Sequence, residues 1–317
     1  MGVADSSFRI ERKMNSVGRS LSSFFAALAL SLVPAFAADT PHHHAQEAQA
    51  AKPKIELPAN PRDLVQRAIE NQLKNTTRQQ YSTWKEKDVK PKGTSVRQLV
   101  ETPNGVLGRT IEKDGHPLTP EEVLAEDARV NRLLDPEQMK AKAKEQKEDE
   151  DRTLKMLHAI PDAFIFTYAE KTKAPNGDEL VHITFEPNPD FDPPSRECLV
   201  FEGMRGDMFV DATETQLAKI DGTLFKDVTI GWGILGRLDK GGRFVVEQQE
   251  VYKDHWDQTH MILDFVGKAL IFKTVKIKEE STAWDFHPVE KMDVKSALSF
   301  LKTKDGGGAT GISEAVK

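Results

Sequence analysis

Cysteine is almost absent from this chain of 317 residues, which contains only Cys198. A single cysteine excludes a disulfide-stabilised scaffold and a zinc site built from several thiolates. Aromatic residues make up only 7% of the sequence, and the mean hydropathy of −0.51 excludes a polytopic membrane protein. The formal net charge of −6 argues against nucleic acid as an electrostatic partner.

Recognisable catalytic motifs are missing as well. The nucleophile-elbow pattern G-x-S-x-G does not occur, and Cys198 lies in the apolar run Cys198–Phe201 rather than beside a cationic partner. Residues 231–236 (GWGILG) match G-x-G-x-x-G, but Trp232 stands where the backbone must approach a pyrophosphate. The sequence therefore predicts a protein that is not an enzyme and that uses no cofactor.

Two histidine-containing segments offer metal-ligand atoms without a convincing geometry. His42–His44 have no carboxylate or cysteine nearby, and residues 254–260 (DHWDQTH) contain no helical His-x-x-x-His pair. We predict no metal site, and we interpret 254–260 as a turn at which Trp256 caps the end of the core.

The amino-terminal segment has the three parts of a secretory signal. Basic residues between Arg9 and Arg19 precede the apolar run Leu21–Val33, and Ala35–Ala37 supply a small-x-small cleavage pattern. The sequence predicts a signal peptide over residues 1–37, cut after Ala37, and a periplasmic location. Residues 38–59 are predicted to be a flexible linker, and residues 304–317 a disordered tail.

Folding is expected to begin with one amphipathic helix followed by β-hairpins. Asn60 and Pro61 provide a cap and a first-turn proline, after which Leu64, Ala68 and Leu73 recur at helical spacing. Two Asn-Gly turns then separate β-prone runs, which is a strong hairpin signal because such turns need positive φ. The predicted hairpin strands are 94–101 with 105–112, and 163–171 with 179–186.

Further β-prone runs follow at short spacing through the second half of the chain. Together they give about ten strands with few intervening helices, which indicates a long antiparallel sheet that is curled rather than flat. The predicted runs are 198–201, 207–211, 217–220, 223–229, 243–252, 259–266 and 270–277.

One region, 119–160, has a helical composition instead. Thr119 begins a capping box, Asp135 and Pro136 restart a second helix, and residues 140–152 are almost wholly charged. Two interpretations remain open, a solvated insertion between strands and a lid or partner-binding hairpin.

Several predicted strands are apolar on both faces, which a one-layer meander does not require. Either helices cover both sides of the sheet, or one face encloses a cavity for an apolar ligand. The residues that would line such a cavity are Phe164, Phe166, Val181, Ile183, Met208 and Phe272.

The order of these features resembles the outer-membrane lipoprotein-sorting (LolA/LolB-like) superfamily. The similarity rests on the signal, on the capped helix with Asn-Pro-x-x-Leu-Val-x-x-Ala-Ile, and on the strand-turn-strand segment Met208–Ile220. Over about residues 60–303 it implies a mainly β (α+β) fold, a curved antiparallel sheet or half-barrel with covering helices and the helical insertion 119–160. It also implies non-catalytic binding of a lipid or acyl chain. The alternative is an envelope protein-interaction or stress-sensing module that uses residues 119–160 to contact an envelope protein.

Overall fold

The computed structural model describes residues 56–76, 80–174, 177–230, 236–269 and 273–303. Within these ranges the chain forms one large, open antiparallel sheet with α-helices packed on it, so the predicted mainly β fold class is confirmed. The helices are α1 (Pro61–Thr76), α2 (Pro120–Asn131), α3 (Pro136–Ala163) and α4 (Val294–Phe300), with 3-10 helices at Arg132–Leu134 and Glu197–Gly203. The first strands are β1 (Tyr81–Lys90), β2 (Gly93–Thr102), β3 (Gly105–Lys113), β4 (His116–Pro117), β5 (Phe164–Tyr168), β6 (Thr172–Lys173) and β7 (Glu179–Pro187). The others are β8 (Met204–Asp211), β9 (Leu217–Leu224), β10 (Val228–Ile230), β11 (Gly236–Leu238), β12 (Arg243–Tyr252), β13 (His255–Ala269) and β14 (Lys273–Val289).

The sheet order is β4-β3-β2-β1-β14-β13-β12-β9-β8-β7-β5. β1 pairs with β14, so the first and last long strands meet in the middle of the sheet and join two meanders. Both predicted hairpins are confirmed: β2 pairs with β3, and β5 pairs with β7. The turn from β8 to β9 is fixed by Asp211, whose carboxylate accepts bonds from the backbone N–H groups of Thr213 (2.8 Å) and Glu214 (2.7 Å).

The pairing register assigns each side chain to one of two faces, because directly opposed residues share a face. We term one face of the sheet the core face. It carries the directly paired residues of five neighbouring strands, Ile183, Met208, Ile220, Val246 and Met261. The main apolar cluster lies on this face, beneath α1 and the carboxyl-terminal end of α3.

A second layer of helices covers the other end of the sheet from the opposite face. Val100 and Leu107 are paired across β2 and β3, and they pack with Val130 of α2 and with Ala297 and Leu298 of α4. Helices therefore cover both faces of this sheet, at opposite ends, which explains why the strands are apolar on both sides.

The predicted helical region is confirmed as α2 and α3, but it is not a dispensable insertion. Met139 of α3 contacts the α2–α4 cluster, and Gln146 donates to the carbonyl oxygen of Val106 (3.2 Å) beside the β2–β3 turn. Met156 and Ile160 of the same helix are buried in the main cluster. α3 therefore connects the two cores. Most of its charged run is exposed, and Asp149 and Arg152 are half-buried and paired with each other.

Three local expectations were wrong or incomplete. Cys198–Phe201 was predicted to be a strand, but it lies in the 3-10 helix Glu197–Gly203, which places Cys198, Val200 and Phe201 in the main cluster. Trp256 does not cap the core: it lies on the opposite face with Leu180 and Ala218. The strand β1 and the helix α4 were not predicted, because their short, charge-interrupted segments lack a clear period.

The start of α2 gives a direct test of local stability. The Thr119 side chain accepts from the backbone N–H of Glu122 (3.3 Å), and Glu122 accepts from the backbone N–H of Thr119 (3.0 Å). We expect Thr119→Ala to lower the free energy of unfolding by about 1 kcal/mol, measured by urea denaturation. Thr119→Ser keeps the hydroxyl and is the matched control, so an equal loss in both variants would contradict the capping role.

Candidate functional site

Five of the six predicted lining residues are brought together in the main cluster on the core face. Phe164 and Phe166 come from β5, Val181 and Ile183 from β7, and Met208 from β8. Their exposed fractions range from 0% for Ile183 to 8% for Phe166. The sixth, Phe272, lies outside the described residues.

Aromatic rings concentrate at one end of this cluster. The ring centroid of Phe164 lies 4.7 Å from that of Phe185, 5.2 Å from that of Phe201 and 6.2 Å from that of Phe166, all in edge-to-face arrangements. Phe191 extends the group, with its centroid 6.4 Å from that of Phe201. These rings make a wide apolar surface whose shape is set by few rotatable bonds.

The cluster is covered by helical segments rather than open to solvent. α1 contributes Leu64, Val65 and Ala68, and α3 contributes Met156 and Ile160. A ligand can reach the predicted lining only if one of these covers moves. α3 is the cover with the weakest apolar anchoring in its middle, because polar side chains face inward there: Gln146 and Asp149 are half-buried and Thr153 is buried.

A buried polar cluster, which sequence reasoning missed, lies on the core face near the junction of the two meanders. The carboxylate of Glu101 accepts from the backbone N–H of Ser82 (2.9 Å), and the hydroxyls of Ser82 and Tyr252 are 2.8 Å apart. Burial raises the pKa of Glu101 to about 7. The ring of Tyr252 stacks on His255 with centroids 4.4 Å apart.

Two further carboxyl groups belong to this region. Asp257 is 1% exposed and accepts from the backbone N–H of Gln258 (2.9 Å), and its burial raises its pKa well above the ordinary value. Burial also raises the pKa of Glu86, which is ion-paired with Arg97. The same guanidinium reaches Asp88 at 2.8 Å. The region therefore holds three carboxyl groups, those of Glu101, Asp257 and Glu86, whose pKa values are raised by burial.

Some donors in this region have no partner in the described part of the chain. The indole Nε1 of Trp84 and the Nε of Arg97 are both buried without a hydrogen bond. Trp84 is itself 0% exposed and stacks on Phe286 at 5.9 Å. The charged run Lys85–Lys90 gives no local sign of burial, and only the pairing of β1 between β2 and β14 reveals that Glu86 and Asp88 face inward.

The opposite face carries ordinary paired charges. His260 bonds to Glu247 and to Glu280 (3.0 Å), and Glu247 also accepts from Lys219 (2.7 Å). The bond with Glu247 raises the pKa of His260, and that bond lowers the pKa of Glu247 to about 2. Across the described ranges, no group of three or more His, Cys, Asp and Glu side chains has the arrangement of a metal site.

Two surface depressions are lined by described residues. One, of about 450 Å³, lies on the opposite face around Lys87, Val96 and Trp284. The other, of about 580 Å³, lies beside the aromatic end of the main cluster. It is lined by Glu186, Pro187, Asn188, Pro189, Phe191, Glu202, Arg205, Phe225 and Lys226.

No protein-family model matches this chain, and no curated protein matches it with significant similarity. None of the helices formed by the described residues combines the length and apolar composition that a bilayer crossing requires. Four predicted features lie outside the described ranges: the predicted signal peptide, the predicted linker up to residue 55, residues Gly231–Leu235 of the glycine motif, and the predicted tail.

Proposed function

We propose that this protein is a non-catalytic, exported binding protein for a hydrophobic ligand that carries an acyl chain. The single observation that carries the proposal is the aromatic end of the main cluster. There the predicted lining residues Phe164 and Phe166 join Phe185 and Phe201 in one apolar surface beneath helical covers.

The architecture supports a binding role in a second way. The sheet is open, and its main apolar cluster is closed by helices rather than by a second sheet. Helices packed on a sheet can shift as units, which lets a ligand replace their side chains in contact with the strands. The polar middle of α3 lowers the cost of such a shift, because less apolar surface is exposed when that part of the helix moves.

The eight methionines of the chain provide an internal test of this proposal. Met204 and Met208 lie in the main cluster, whereas Met139 and Met292 contact the α2–α4 cluster on the other face. We expect delipidated wild-type protein with ¹³C-labelled methionine methyl groups to bind cis-parinaric acid saturably. The NMR signals of Met204 and Met208 should shift, and that of Met292, which lies on no mobile cover, should stay in place.

The assignments come from single Met→Leu variants, which conserve side-chain volume. Shifts confined to Met139 and Met292 would place the ligand on the wrong face and contradict the site. Absence of saturable binding to protein with a native β-sheet circular dichroism spectrum would contradict the function itself.

A further inference from the structure

We propose that the 580 Å³ depression beside the main cluster binds the head group of this ligand, and that the head group carries a single negative charge on a carboxylate or phosphodiester. This inference rests on the proposed function. It places the polar end of the ligand in the depression and makes the depression the entrance to the apolar cluster.

The depression contains two cations gathered around one aromatic ring. The guanidinium carbon of Arg205 lies 5.5 Å from the ring centroid of Phe225, and the ammonium nitrogen of Lys226 lies 5.9 Å from it. The backbone N–H of Phe225 donates to the carbonyl oxygen of Gly203 (2.9 Å), which fixes the backbone beneath the ring. Both cations are thus held near a well-anchored side chain.

Neither cation is neutralised by the described part of the chain. Glu186 and Glu202 also border the depression, yet no carboxylate there lies within ion-pair distance of Arg205 or Lys226. The two cations therefore remain available to an external anion. The bordering carboxylates reduce the positive potential, which favours a singly charged head group over a polyanion.

The depression also adjoins the predicted apolar site through one lining residue. Phe191 lines the depression and contacts Phe201, whose ring in turn contacts Phe164 of the main cluster. Arg205 lies on the face opposite the lining residues, so the hydrocarbon of an anion seated there reaches them by passing the end of the sheet along Phe191 and Phe201. A charged head at the surface and an alkyl tail in the core is the arrangement that keeps the charge hydrated.

The test compares a charged and a neutral ligand that share the same acyl chain. Wild-type protein and the double variant Arg205→Gln/Lys226→Gln are titrated with cis-parinaric acid, with its methyl ester, and with lysophosphatidylglycerol in competition. We expect the double variant to bind the acid about tenfold more weakly and the ester within twofold of wild type. Lys253→Gln/Lys276→Gln removes two exposed cations elsewhere and is the matched control, which should leave all three affinities unchanged.

Each outcome separates this inference from the proposed function. If the double variant keeps the wild-type affinities for both the acid and lysophosphatidylglycerol, or loses all three ligands equally, the head-group site is wrong while apolar binding stands. If wild-type protein binds neither acid nor ester, both proposals fail. A selective loss for lysophosphatidylglycerol identifies a phosphodiester lipid as the source of the anion, and a selective loss for the acid identifies a free fatty acid.

Discussion

Glu101→Gln should stabilise the protein at alkaline pH by about 3 kcal/mol and leave its stability at pH 4.5 nearly unchanged. Burial raises the pKa of Glu101 from 4.5 to about 7, so the folded protein favours the neutral carboxyl group. The protonated carboxyl group makes its full contribution to the free energy of unfolding below pH 4.5. That contribution is lost as the pH rises through 7. Glutamine is neutral throughout, and its amide oxygen can still accept from the backbone N–H of Ser82.

Urea denaturation at intervals between pH 4.5 and 8.5 measures this effect. The wild-type free energy of unfolding should fall across this window, and the fall should be smaller in Glu101→Gln. The pKa of His260 is raised by its bond with Glu247. His260 therefore also lowers the free energy of unfolding as the pH rises, and it does so in both proteins. Glu250→Gln, which changes an exposed carboxylate on β12, is the control. Parallel pH curves for wild type and Glu101→Gln would show that the carboxyl group is not held neutral.

Phe164→Ala should lower the free energy of unfolding by about 3–5 kcal/mol, because it removes the ring at the centre of the aromatic cluster. Phe164 is 6% exposed, and its ring contacts those of Phe166, Phe185 and Phe201. The neighbouring rings are held by strands and by the 3-10 helix, so they cannot collapse fully into the space. The urea midpoint should fall while the denaturant slope stays constant.

Two related variants make this prediction specific. Phe164→Leu keeps most of the apolar volume and should lose clearly less stability than the alanine variant. Ile165→Ala changes the adjacent residue, which is 55% exposed on the opposite face, and should lose under 1 kcal/mol. Equal losses for Phe164→Ala and Ile165→Ala would mean that the register of β5 is not the one described.

The hairpins were predictable because their signals are local. Positive φ at Gly105 and Gly177 is what the Asn-Gly turns require, and the alternating side chains of β7 follow the pleat of a single strand. The helices α1 and α2 were equally accessible, since caps and first-turn prolines act within a few residues. The strand prediction for Cys198–Phe201 was wrong because a short apolar run is equally compatible with a buried strand and with a buried 3-10 helix.

Part of the predicted lining follows from the sequence pattern alone, and part depends on the tertiary structure. Phe164, Phe166, Val181 and Ile183 share a face because β5 and β7 form one hairpin, and that pairing is local. Phe185 belongs to the same hairpin, opposite Phe166, whereas Phe201 joins them only through tertiary packing. The Arg205–Phe225–Lys226 group is likewise invisible to a sequence pattern, since Arg205 reaches Phe225 only through the pairing of β8 with β9.

The amino-acid sequence by itself determined the mainly antiparallel β class, the capped helices and the apolar strand faces. These depend on steric preferences and periodicities within about ten residues. Only the tertiary structure decided that β1 lies between β2 and β14, that α3 joins two cores on opposite faces, and that Glu101 is half-buried and Asp257 fully buried. The physical reason is that burial depends on which distant strands become neighbours, and a charged residue carries the same local signal whether it meets water or the interior.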